Sequence, residues 1–205
     1  DTNAATLRYY YVVPEEARGQ SVSFTFSVTS SDGKTASYKM GPYSISKMSI
    51  KKNLTVSNGA NAFISIEDMA VYNAAAAAAT PGKIDLIYLY RAAPTTFTHA
   101  LVSPAADAAY LPGVTLPAGL NRSTKLRKAF NLQDRNLANL QFGIYVDDVD
   151  LINVDMVDMP NYAIGLRAEA GVWVETADKK YRAYIFVNSI NAAGTAVISM
   201  LRYTL

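Results

Sequence analysis

The chain has no cysteine and one histidine, His99. Without thiols there is no disulfide, no thiol nucleophile and no thiolate site for zinc or an iron–sulfur cluster. A single histidine excludes a two-histidine metal site within one chain. Any Ser–His–Asp triad would have to use His99, which sits among prolines and alanines. No run of 18 apolar residues occurs, so no membrane-spanning helix is expected. Charge is also scarce. The 19 basic and 17 acidic residues leave a net charge of +2, too little to draw a polyanion, so nucleic-acid binding by charge alone is excluded. The glycine-rich phosphate-binding loops and the Gly-x-Ser-x-Gly elbow of hydrolases are missing too. The first residues, Asp1-Thr2-Asn3, lack an initiator Met, as expected of either a processed or a trimmed chain; removal of an export signal would leave such a start.

What is present favours strand. Hydrophobic residues make up 50% of the 205 and charged residues 18%, the reverse of a disordered composition. A chain of 22.2 kDa can bury ~70% of its extended surface, enough for a full core. Val22, Phe24, Phe26 and Val28 alternate with small hydroxyl residues, which predicts a half-buried strand. Asp32-Gly33 turns it into a second strand near 35–40. Residues 44–56 read as a strand broken by a bend. Asn58-Gly59 would pair it with 62–69 in a second hairpin. The alanine run 74–79 is a short docked helix or a loop. Ile84 to Tyr90 is almost continuously apolar, as in a strand buried on both faces. Residues 92–124 carry Pro94, Pro104, Pro112 and Pro117, half of the eight prolines, and read as a long loop or broken excursion. A short helix is expected within 125–139 and a strand at 140–146, while 147–159 fits either. The C-terminus reads as a three-stranded meander, with 163–175 as its first strand. The expected core includes Phe24, Phe26, Ile84, Leu86, Tyr88, Phe142, Ile144, Trp173, Ile185 and Val187.

These elements predict a single mainly β domain over 1–205, an antiparallel β-sandwich, immunoglobulin-like or related, with short helical insertions. The alternative is α+β with the 84–90 strand central. Faint echoes between the Asp32 and Asp178 hairpins would make two related halves, 1–91 and 125–205, joined by the proline-rich excursion 92–124.

No motif for chemistry is complete. Asp147, Asp148, Asp150, Asp155 and Asp158 could offer oxygens to a hard cation, but the EF-hand glycine and closing glutamate are missing. Glu15-Glu16 and Glu67-Asp68 are adjacent pairs, which point to opposite faces of a strand and would not clamp one glycosidic bond. Arg122, Lys125, Arg127 and Lys128 form a short basic run suited to an anionic glycan or a solvated face. Aromatic side chains are the stronger lead, because ring faces suit sugars. The excursion 92–124 keeps large apolar residues and leads into the basic run, so a recognition surface of Phe97, His99, Tyr110, Arg122 and Lys125 is expected. No catalytic residue, metal or cofactor is assigned.

The segment Gly82-Lys83-Ile84-Asp85-Leu86-Ile87-Tyr88, followed by Ser103-Pro104, resembles uncharacterised secreted or surface lipoproteins of Bacteroides-type bacteria. So does the tail Thr176-Ala177-Asp178-Lys179-Lys180-Tyr181, which leads into the strand 183–190 and has Lys179 where those proteins usually carry Gly. The resemblance implies an extracytoplasmic protein, at the cell surface or in the periplasm, with a lipid anchor on a cysteine upstream of Asp1. The function expected is a non-enzymatic envelope-associated or secreted binding or structural module, its partner a glycan or a protein. The alternative is a carboxylate-based glycan-active enzyme.

Overall fold

The computed structural model describes residues 9–129 and 146–205. The chain forms two compact units, Asp1–Lys47 and Met48–Leu205. The joint expected at 92–124 is not where the chain divides. The division falls at Lys47, between the strands Thr35–Ser44 and Ser49–Ser57.

The smaller unit is a hairpin. β1 (Ser21–Thr29) pairs antiparallel with β2 (Thr35–Ser44) around the Asp32-Gly33 turn, with Phe26 opposite Tyr38. The alternation is as expected, but the burial is not. Phe24 is half-buried and Phe26 is 42% exposed, so neither is core. A two-stranded sheet has no second layer to bury its apolar face.

The larger unit is a sandwich of two five-stranded sheets whose described strand pairs all run antiparallel. The first sheet has the order β3–β12–β11–β10–β8. Its strands are β3 (Ser49–Ser57), β8 (Lys125–Ala129), β10 (Gly171–Glu175), β11 (Tyr181–Ile190) and β12 (Thr195–Thr204). The second has the order β5–β4–β6–β7–β9, built from β4 (Phe63–Ser65), β5 (Ala70–Tyr72), β6 (Leu86–Arg91), β7 (Thr98–Val102) and β9 (Tyr162–Leu166). The fold is therefore mainly β, with β6 at the centre of its sheet.

The central strands of both sheets are buried on both faces. Between them lie Leu86, Tyr88, Leu101, Val172, Val174, Ile185, Val187, Ile198 and Met200. The outer face of the second sheet buries Ile87, Leu89, Ala100 and Val102 under Phe97, Leu120 and Ala77. Trp173, Tyr184 and Phe186 occupy the outer face of the first, covered by Leu151 and Met156. This double burial is why β6 and β10 show no polar alternation.

Several expectations need correction. The Asn58-Gly59 turn joins no hairpin: β3 pairs with β12, and β4 with β5 and β6, so the chain crosses here from one sheet to the other. The excursion 92–124 is not all loop. Pro94 and Pro104 bracket β7, which pairs with β6 on one side and β9 on the other. Residues 125–129 are strand rather than helix, paired with β10. The span 163–175 is two strands, β9 and β10, in different sheets, because Glu169 turns the chain with a left-handed backbone (φ 64°). The alanine run is helix α1 (Ala74–Ala79), started by the Asn73 side chain, which accepts from the Ala76 N–H. The ambiguous acidic segment contains helix α2 (Asp148–Asn153), closed by a capping box between Asp147 and Asp150. The strand expected at 140–146, with core residues Phe142 and Ile144, lies outside the described residues except for Val146.

Candidate functional site

At one end of the sandwich the sheets part to leave an open groove of about 1000 Å³. Tyr90 and His99 face each other across β6 and β7 on the inner side of the second sheet, two pairs beyond Tyr88 and Leu101. Their rings lie 4.7 Å apart. Thr95, Thr96 and Thr98 line one wall, β9 supplies Gly165 and Arg167, and the β11–β12 turn supplies Asn191 and Ala192.

Each wall is fixed locally. Gly194 has no side chain because a Cβ there would lie 2.9 Å from the Tyr90 ring, and its carbonyl accepts from the Asn58 N–H. Asn58 in turn accepts from the Tyr90 N–H, so Tyr90 is held from the opposite sheet. Gly165, at φ 69°, lets β9 donate a backbone hydrogen bond to the Phe97 carbonyl. The Asn191 side-chain Oδ1 accepts from the N–H groups of Ala193 and Thr195.

His99 is 4% exposed, and burial pushes its pKa down, keeping the ring neutral. Its Nδ1 lies 2.6 Å from the Tyr88 hydroxyl. Burial drives the Tyr88 pKa well up, so the phenol keeps its proton. A protonated phenol needs an acceptor, and Nδ1 is the one in reach. The Tyr88 hydroxyl therefore donates to Nδ1, which leaves the ring proton on Nε2. The groove thus combines ring faces, hydroxyls, amide groups and two cations. Lys128 already donates to the Ile164 carbonyl at 2.9 Å, whereas Arg167 is exposed. None of the residues lining the groove among the described residues is acidic.

Of the expected recognition residues, only His99 reaches this groove. Phe97 is buried beneath the excursion, with the Arg91 guanidinium 5.8 Å from its ring. Tyr110 stacks on Tyr162 at 3.6 Å between ring centroids. Lys125 donates to the Met156 carbonyl, and the neighbouring Arg127 to that of Asp155. Arg122 bridges two carboxylates, 2.9 Å from Asp85 and 2.9 Å from Asp178. Most of the basic run is thus spent joining strands to loops. Sequence reading passes over Tyr90, Arg167 and Asn191, because nothing local marks the mouth of a sandwich; only strand pairing brings β6, β9 and the 191–194 turn together.

The Asp85–Arg122–Asp178 bridge ties the two sheets. Asp85 is 1% exposed and accepts from the Ile66 N–H at 2.8 Å. Its contact with Arg122 is close but poorly aligned as a hydrogen bond. Burial therefore wins, and its pKa is pushed up to about 6. For Asp178 burial is outweighed by hydrogen bonds from the Thr176 hydroxyl, the Lys180 N–H and Arg122, which bring it down to about 2.

Residues 46–205 match the domain of unknown function DUF8576. The chain belongs to the DUF8576 family. Residues 1–45 match a second domain of unknown function, DUF4466, so the family boundary falls where the structure divides. A crystal structure of a DUF4466 family protein from Parabacteroides merdae is 44% identical, with a TM-score of 0.86 over all of this chain and 69% of that one. No curated protein matches. This DUF8576 chain is thus similar to an uncharacterised protein of the bacterial group that its motifs resemble. Among the described residues, no helix is long and apolar enough to cross a membrane.

Proposed function

We propose that this chain is a non-enzymatic, extracytoplasmic recognition module that binds an acidic glycan in the groove at Tyr90 and His99. The observation that carries the reading is the groove lining. It offers ring faces for the C–H face of a sugar, donors from His99, Asn191 and the threonines, and cations in Lys128 and Arg167. Glycoside hydrolysis needs two carboxyl groups about 5 to 9.5 Å apart across the bond. Among the described residues, the carboxyl pair with pKa values driven apart, Asp85 and Asp178, is split by Arg122, and Asp85 is sealed in the core. Display at the cell surface or in the periplasm, with a lipid anchor upstream of Asp1, belongs to the same reading. It is supported by the motif likeness alone.

A titration of neutral and uronate-containing oligosaccharides tests this. Acidic sugars should bind and weaken with salt; Tyr90→Ala and Arg167→Ala should each lower affinity at least tenfold, and the exposed Arg167 should do so without moving the melting point. Release of reducing ends, or binding unchanged in both variants, would sink the reading.

A further inference from the structure

The hairpin unit carries an apolar face that its own two strands cannot cover. Register places Val22, Phe24, Phe26 and Val28 of β1 beside Tyr43, Met40, Tyr38 and Ala36 of β2. The opposite face holds Ser23, Thr25, Ser27, Ser37 and Lys39. This two-sided pattern is that of one sheet in a sandwich, apolar toward a second layer and polar toward water. Yet Tyr38 is 69% exposed, and Phe26, Val28, Met40 and Tyr43 are exposed as well. A lone two-stranded sheet with such a face is marginal in water.

Two observations say what covers it. The chain on the N-terminal side of β1 already runs over this face. Tyr9 packs edge-on against Phe26, with ring centroids 6.2 Å apart, and Tyr11 against Phe24 at 5.1 Å. The described chain thus begins on the face itself, with Tyr9 and Tyr11 seated on its two phenylalanines. In addition, the 44%-identical DUF4466 protein, which this chain matches over its whole length, has a further 31% of its own length beyond the match (100% less the 69% covered). We infer that the hairpin is one layer of a β-sandwich unit. Its second layer is a set of strands from the preceding part of the same polypeptide, seated on Phe24, Phe26, Tyr38 and Tyr43.

The absence of cysteine makes the test direct. Tyr38→Cys gives the only thiol in residues 1–205, and in the full product its labelling is read by mass spectrometry of the peptide carrying residue 38; Val28→Cys repeats the measurement should the first variant fold poorly. Maleimide labelling is followed in residues 1–205 and in the gene's full product, with Lys39→Cys on the polar face as reference. Both face thiols should label as fast as the reference in 1–205, and at least tenfold more slowly in the full product. Equal rates in the two proteins would overturn the inference. So would slow labelling of 1–205 that depends on its concentration, which would assign the face to a second copy. Slow labelling in dilute 1–205 would also overturn it, because the chain would then cover the face itself.

Discussion

Asp85 is a carboxyl group that folding makes harder to ionise. Its pKa rises from the ordinary carboxylate range to about 6, so between pH 4 and 6 the folded chain binds more protons than the unfolded one. Stability should therefore fall as pH rises through that window and level off above it. Asp178 acts in the opposite sense: its pKa of about 2 gives stability that is present above pH 4 and lost as pH falls toward 2. Asp85→Asn keeps an acceptor for the Ile66 N–H and removes the ionisation. Urea midpoints, read by the fluorescence of the lone Trp173, should drop between pH 4.5 and 7 in the parent and change much less in the variant. A rise of this size in one carboxyl group corresponds to at most about 3 kcal/mol of lost stability. An equal drop in both proteins would show that Asp85 is not the titrating group. Lys179 illustrates the same scale differently. It holds φ 57° in its turn, a left-handed backbone that glycine adopts more readily than lysine.

Elements are legible in proportion to how local their causes are. The β1–β2 hairpin, the β10–β11–β12 meander and the buried β6 follow from alternation, turn residues and apolar runs within a few residues of each other. Which strands pair is another matter. The Asn58-Gly59 turn looks like a hairpin turn, yet Ala62, Phe63 and Ile64 bury themselves in the other sheet. The groove is the extreme case, because Tyr90, Gly165 and Asn191 meet only through that pairing. Alternation also does not say whether a second layer exists, which is why Phe26 reads as core and is not. In the 205-residue chain, Phe26→Ala should leave the Trp173-monitored midpoint unchanged. Ile185→Ala, at a site with no exposed surface between the sheets, should cost about 2–5 kcal/mol. A large loss from the Phe26 variant would place that side chain in the core after all.

On the scale of the whole molecule, the three hydrophobic clusters draw only on residues from Met48 onward among the described residues. Residues 48–205 should thus fold alone and melt within a few degrees of the full chain, as followed by circular dichroism. A molten or much less stable 48–205 would mean that the hairpin unit is needed to hold the sandwich.

The pairing of β3 with β12 sets Ser49 opposite Arg202, so the two ends of the sandwich unit leave from the same end of one sheet. A pull applied between Met48 and Leu205 would load the β3–β12 ladder one hydrogen bond at a time, like opening a zipper. It would not load all the bonds at once in shear. The unit is therefore built to yield at low force along that axis, and its first strand would peel away before the strands that shape the groove are strained.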